Sequence, residues 1–355
     1  MRFWHYLLIQ YAKNCFLEDL ERCDIYMLFG TKNEVGVEVT PLTFGSHDGK
    51  TTLAGFEIKS ENPTSGRHLG VVTVLHGIGE HMRRRKKLIM KLVAAGYIVI
   101  VYDCLGHGQS VKDKEMYISK LDDVVNDFLM VANYGFKKYR GIPCFALGFS
   151  LGSFVLRVAM TAKYYDKYSA KAGAILVGTG WLEPLVAQLM MGVVHAIGVM
   201  NGGCDKVSGI VNNMAFNTYN QQVNGNDPAD WLYQDQKAKA EYMTDPSVRH
   251  FVTPGLFREL LRAMKIANCS KEVRDSQKIP ILILSGEEDP VGGFGKGIQK
   301  VHRLFVNGGF DDVTIEICRG RHDVLSDVDS KKACEAVLSW LNEKTADRFK
   351  GGTTK

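Results

Sequence analysis

Residues 144–152 read Cys144-Phe145-Ala146-Leu147-Gly148-Phe149-Ser150-Leu151-Gly152. An apolar strand runs into a G-x-S-x-G turn, and the helix-like stretch Leu151–Tyr164 follows directly. A nucleophile on a sharp strand-to-helix turn needs small residues two before and two after it, because the backbone there passes close to neighbouring elements. Such a turn lifts the Ser150 hydroxyl clear of a sheet, and the helix N-terminus favours developing negative charge. The pentapeptide alone is common by chance. Its strand–turn–helix setting is what makes it specific.

Outward from this turn the same rhythm repeats. Val71–Leu75, Tyr97–Tyr102, Ala172–Val177, Ile281–Leu284 and Val313–Ile317 read as strands, and Lys86–Ala95, Leu121–Tyr139 and Lys331–Asn342 read as helices. Continuous apolar strands alternating with helices predict a mostly parallel sheet covered on both faces, an α/β fold. Ahead of it, Val37–Phe44 and Thr51–Ile58 flank Asp48-Gly49, a hairpin signal. The rhythm breaks between about 180 and 278. That stretch carries the apolar run Leu185–Met200, Asn- and Gly-rich turns, and helices near Gln234–Met243 and Pro254–Ala267. The expected organisation is a helical N-terminal extension at 1–30, an α/β core at 31–179 and 279–345, an inserted and mainly helical cap at 180–278, and a flexible tail at 346–355.

Of the 355 residues, 45% are hydrophobic and 23% charged, ordinary globular values that exclude disorder and fibrous repeats. A net charge of +5 is too weak to argue for nucleic acid, and Arg83-Arg84-Arg85-Lys86-Lys87 reads as the solvated start of a helix. The eight cysteines form no CxxC and no zinc spacing, so reduced thiols in a cytoplasmic protein are expected, with no metal and no cofactor. No apolar run reaches transmembrane length, and the short apolar start Met1–Tyr11 has no A-x-A site after it. Membrane contact is therefore expected only as transient surface contact. Oligomeric state is not legible.

A lone serine is a poor nucleophile and needs a base held by a carboxylate. On this type of fold the order along the chain is Ser, then Asp or Glu, then His. Asp289 follows the strand and turn Leu284-Ser285-Gly286-Glu287-Glu288, and His322 follows the next strand, so both fall at the carboxyl ends of strands. Glu287 and Glu288 compete for the acid role. Asp289 is preferred because Pro290 fixes the chain just after it. The oxyanion of a tetrahedral intermediate needs two backbone N–H donors. Leu151 supplies one, and Ile78, in the loop His76-Gly77-Ile78-Gly79-Glu80-His81, the other. His76 and His107 read as structural, hydrogen-bonded to loop backbone.

With these residues in place the chain resembles the α/β-hydrolase superfamily, and within it the monoacylglycerol lipase and lysophospholipase group, also called serine aminopeptidase-like. The resemblance rests on His76–His81, Asp103–Ser110, Gly148–Gly152, Asp289–Gly292 and Gly320–Asp323, and spans about 37–343. It implies Ser150 as nucleophile, Asp289 as acid, His322 as base, and Ile78 and Leu151 as oxyanion donors. The chain departs from the family pattern in four places. Phe149 stands where His is usual, Leu151 where Met is common, Arg85 where an aromatic often follows Arg84, and Asp323 where Glu usually follows the base. The expected activity is cleavage of a lipid monoester, a monoacylglycerol or lysophospholipid, with Leu185, Leu189 and Met190 of the cap lining an acyl site. The alternatives are a proline-iminopeptidase-type aminopeptidase and a non-catalytic binding protein on the same fold. The former would need a cluster of acidic cap residues to hold a substrate ammonium; Glu183 and Glu241 are present, but the sequence shows no clear cluster.

Overall fold

The computed structural model describes residues 36–63 and 66–351, so the helix expected over 1–30 lies outside the described residues. In chain order the strands are β1 (Val37–Gly45), β2 (Thr52–Ser60), β3 (Gly70–Leu75), β4 (Tyr97–Tyr102), β5 (Cys144–Phe149), β6 (Gly173–Val177), β7 (Ile281–Gly286) and β8 (Val313–Cys318). They form one 8-stranded sheet in the order β1-β2-β4-β3-β5-β6-β7-β8. β1–β2 and β2–β4 pair antiparallel, and every other neighbouring pair is parallel. The expected α/β architecture is thus present.

Its causes are readable strand by strand. Every residue of β3, β4, β5, β6 and β7 is buried, as unbroken apolar runs require in a sheet covered on both faces. β8 is at the edge and only partly buried, which is why Thr314 and Glu316 are tolerated there. The β1–β2 hairpin closes at Asp48-Gly49 as predicted. The Asp48 carboxylate accepts from the N–H groups of Lys50 and Thr51, both at 2.8 Å.

Helices α1 (Lys86–Ala94), α2 (Leu121–Lys138) and α3 (Leu151–Ala159) follow β3, β4 and β5. The chain then crosses from β6 to β7 through α4 (Pro184–Met200), α5 (Gly209–Asn212), α6 (Thr218–Gln222), α7 (Gln236–Met243), α8 (Pro254–Ala267) and α9 (Ser270–Arg274). α10 (Lys296–Asn307) and α11 (Ser330–Gly351) complete the fold. One core joins α2, α3, α8 and α10 to one sheet face. A second joins α1 and α11 to the other.

Two expectations are corrected. The tail expected to be flexible from 346 is still helical to Gly351. The helix keeps its docking contacts at its far end: Thr345 meets the Tyr97 hydroxyl at 3.1 Å, Lys344 Nζ pairs with Asp312 at 2.8 Å, and Arg348 donates to the Lys171 carbonyl. The helix expected over Leu151–Tyr164 ends at Ala159, and the Met160 carbonyl accepts from Gln277 N–H instead of continuing it.

The inserted stretch is anchored at its start and at the end of α8 by one buried side chain of α3. The Arg157 guanidinium donates to Thr179 Oγ1 (3.1 Å) and Gly180 O (3.4 Å) where the insertion begins. It donates to Ala267 O (2.6 Å) and Asn268 Oδ1 (2.8 Å) where α8 ends. α4 packs on α8 through Ala187, Met191, Val194 and Gly198, a stripe of helical spacing. Leu185 and Leu189 therefore lie on the outer side, 71% and 63% exposed, and cannot wall an enclosed acyl tunnel. Met190 is half-buried against the core. α4 is apolar nearly all round, so the sequence could not say which side faces inward.

Candidate active site

β5 delivers Ser150 on the expected turn, at φ 50° and ψ −114°, a conformation non-glycine residues rarely adopt. The flanking glycines are obligatory. A Cβ on Gly148 would sit 2.4 Å from Gly152 O, and one on Gly152 would sit 2.7 Å from Leu75 Cβ. His322 Nε2 lies 2.9 Å from Ser150 Oγ, and His322 Nδ1 lies 2.9 Å from Asp289 Oδ1. Asp289 and His322 are fully buried, and Ser150 is 9% exposed. Asp289 also accepts from Val291 N–H at 2.8 Å and from Ser285 Oγ at 3.3 Å, so its carboxylate is held on both oxygens. Glu287 and Glu288 are exposed on the same turn. The three residues named from sequence thus meet, and neither competing glutamate reaches the imidazole.

Leu151 opens α3, so its N–H is one of the donors that have no acceptor within the helix. The loop after β3 runs beside it: a Cβ on Gly77 would lie 3.2 Å from Ser150 Cβ, and Ile78 follows. A serine bonded to an imidazole that is bonded to a buried carboxylate, with backbone donors alongside, can carry out nucleophilic acyl transfer. A cavity of about 900 Å³ lies between α2 and residues 166–172 and contains none of these groups. Bonded geometry, rather than cavity size, marks the site.

The structure adds residues that the sequence did not single out for the site. The Trp231 ring stacks on the His322 ring at 5.0 Å, and Phe216 and Tyr219 stack on Trp231 in turn. Backbone bonds from His322 N to Trp231 O (3.4 Å) and from Asp323 N to Leu232 O (3.1 Å) seat the insertion on the base. The part of the insertion that reaches His322 is therefore 229–233, not α4. Burial and the charge of Asp289 push the Tyr219 hydroxyl up to about 12. No motif marks Trp231, because aromatic packing of this kind has no fixed spacing.

A profile of the serine aminopeptidase, S33, family matches residues 66–329. The chain belongs to that family. It is 25% identical over 280 residues to a monoacylglycerol lipase of Mycolicibacterium smegmatis, covering 77% of this chain and 88% of that one. It is 35% identical to the human monoglyceride lipase over 88 residues, 25% of this chain and 29% of the human one. Among solved structures, a thermostable carboxyl esterase from Bacillus coagulans superposes with a TM-score of 0.76 at 24% identity, over 86% of this chain and 99% of that chain. A soluble variant of the Saccharomyces cerevisiae monoglyceride lipase gives 0.68 at 18% identity, over 89% and 98%. These two share the α/β-hydrolase fold. Among the described residues of this S33 member, no helix is long and apolar enough to cross a membrane.

His76 and His107 take the structural places expected of them. His76 Nδ1 donates to Gly77 O (2.7 Å) and its Nε2 accepts from Cys104 N–H (2.8 Å), which defines a neutral ring tying two loops together. His107 Nδ1 donates to Leu105 O at 3.1 Å. Burial lowers both from the ordinary 6.5 to about 3, the neighbouring ring adding to the effect at His107. The unfolded chain takes up these protons near pH 6.5 and the folded one does not until about 3. Stability should therefore fall as pH drops through that window, by up to about 1.4 kcal/mol per pH unit for each ring. Urea unfolding at pH 7 and pH 5 checks this. His107→Gln should lose less stability between the two than wild type, and an equal loss would remove His107 from the account.

Proposed function

We propose that the chain is a serine carboxylester hydrolase that cleaves lipid monoesters, a monoacylglycerol or lysophospholipid, through an acyl-enzyme on Ser150. The observation that carries this reading is the 2.9 Å approach of His322 Nε2 to a Ser150 Oγ presented on a strained turn. His322 takes the Ser150 proton as Oγ attacks the ester carbonyl. Asp289 holds Nδ1–H and stabilises the imidazolium. Ile78 and Leu151 N–H groups receive the oxyanion. His322 then protonates the departing alcohol, and water, activated by the same ring, releases the fatty acid.

The names of the M. smegmatis and human relatives favour a lipid monoester. An aminopeptidase needs carboxylates gathered for the substrate ammonium, and Glu183 is instead exposed, bonded to Trp181 Nε1 at 2.8 Å and near Lys300 Nζ at 3.6 Å. We assign the inserted segment as the cap. The outward face of α4, with Leu185, Val186, Leu189 and Val193 exposed, serves as the transient contact with substrate aggregates or a membrane surface. Kinetics on p-nitrophenyl esters of graded chain length, run beside an amino-acid p-nitroanilide, tests both parts. Leu189→Asp should cost about tenfold on aggregated long-chain esters and little on the acetate, since each buried CH₂ gains about 0.8 kcal/mol. Equal losses at all lengths would assign this face to packing. Efficient anilide cleavage with negligible esterase activity would replace the reading with the peptidase one.

A further inference from the structure

Three of the four departures from the family pattern, Arg85, Phe149 and Asp323, meet in one buried cluster. Arg85 is 2% exposed. Its Nη1 and Nη2 donate to the two oxygens of Asp323 at 2.6 and 2.9 Å, a bidentate pair. Nη2 also donates to Glu80 Oε2 at 2.6 Å, while Glu80 Oε1 accepts from Gly77 N–H at 2.7 Å. The guanidinium carbon lies 4.4 Å from the centre of the Phe149 ring, which packs on the His322 ring at 5.2 Å. Tyr233 of the insertion closes the cluster by donating to Asp323 Oδ2 at 2.7 Å.

Arg85 thus touches no reacting atom, yet it is bonded to a residue of each structure that must be aligned. Glu80 holds the backbone that presents Ile78, Asp323 is the residue next to His322, and Phe149 is next to Ser150. We infer that Arg85 is a positioning residue that fixes the oxyanion loop and the histidine loop relative to one another, and that the Phe149, Arg85 and Asp323 departures work as one unit. This rests on the serine-hydrolase reading. A buried guanidinium between two carboxylates is costly unless every partner is satisfied, so the three residues are not exchangeable one at a time.

The cluster also sets charge near the base. The ionisable groups around His322 are Asp289 at Nδ1, Ser150 at Nε2, the Tyr219 hydroxyl near Asp289, and beyond the rings Arg85, Asp323, Glu80, Arg84 and Tyr233. Arg85→Met removes the cation that lies across the Phe149 ring from the imidazole and so favours the protonated ring. Asp323→Asn strands the Arg85 cation and favours the neutral form. A role confined to stability moves neither.

The test uses full-length protein with p-nitrophenyl acetate, concentrations being set by fluorophosphonate titration of active sites. Arg85→Met should lower kcat per site by about 10–100-fold with KM within about twofold, as misalignment does. It should move the acid limb of kcat/KM up by about half a pH unit or more, and Asp323→Asn should move it down. Arg85→Lys should keep the wild-type limb, because the charge remains, and still lose kcat, because a bidentate grip does not. Unmoved limbs with kcat per site within about twofold would overturn the proposal. Should Arg85→Met fail to fold, Asp323→Asn carries the test by itself, and a limb that stays in place overturns it. Failure of the underlying reading is separately visible, as wild-type protein that takes no fluorophosphonate on Ser150.

Discussion

Ser150→Ala is expected to lower kcat by at least about 10³-fold while the protein stays folded. The substitution removes only Oγ, whose recorded partner is His322 Nε2. Its backbone bonds, from Ser150 N to Val177 O and from Ser153 N to Ser150 O, are untouched. The strained φ of 50° persists because the surrounding sheet and helix impose it, so thermal stability should change little. What remains is binding and the oxyanion donors, which have no tetrahedral intermediate to receive. A fluorophosphonate should label wild type and not this variant, and labelling that persists would assign the nucleophile elsewhere.

Asp289→Asn should be comparably damaging, lowering kcat by about 10³–10⁴-fold. The Asp289 Oδ1 that meets His322 Nδ1 also accepts from Val291 N–H, and Oδ2 accepts from Ser285 Oγ. An asparagine must place its NH₂ on one of these sides. Facing the imidazole, it demands an unprotonated Nδ1 and so puts the proton on Nε2, where it cannot accept from Ser150. That placement also opposes Val291 N–H, which shares the same oxygen; facing Ser285 instead, it leaves only a neutral oxygen on Nδ1–H, which no longer stabilises the imidazolium. Glu287→Gln and Glu288→Gln, both exposed, should cost little by comparison. A larger loss from Glu288→Gln than from Asp289→Asn would move the acid role to Glu288.

The fold was legible because its inner strands are nearly unbroken apolar runs and most of its helices carry a polar face, a contrast that survives without knowledge of partners. The site was legible where backbone geometry restricts residue type: the glycines around Ser150 and those before and after Ile78. It was illegible where the determinant is a contact across the chain. Trp231 reaches His322 from far away in sequence, and nothing in Ala229–Tyr233 announces it. Arg85 looked like one of a solvated basic run. Its burial follows from two carboxylates, Glu80 and Asp323, the second brought in by the loop after β8. Burial raises the Asp323 carboxyl, and the charge and hydrogen bonds of Arg85 outweigh that and hold it down at about 2. α4 was read as apolar correctly, and its inward side could not be read because both sides are apolar.

Arg157 has a consequence for how such proteins are built and rebuilt. By holding Thr179 and Gly180 together with Ala267 and Asn268, it brings the start of the long crossover and the end of α8 to one spot on the core. In polymer terms the crossover is a closed loop whose length barely matters, since doubling it costs only about 0.6 kcal/mol. Segments of quite different size and content can then be exchanged between the same two junctions. The requirement is that each donated segment return acceptors for a single guanidinium, and the catalytic frame beneath need not change when the substrate does.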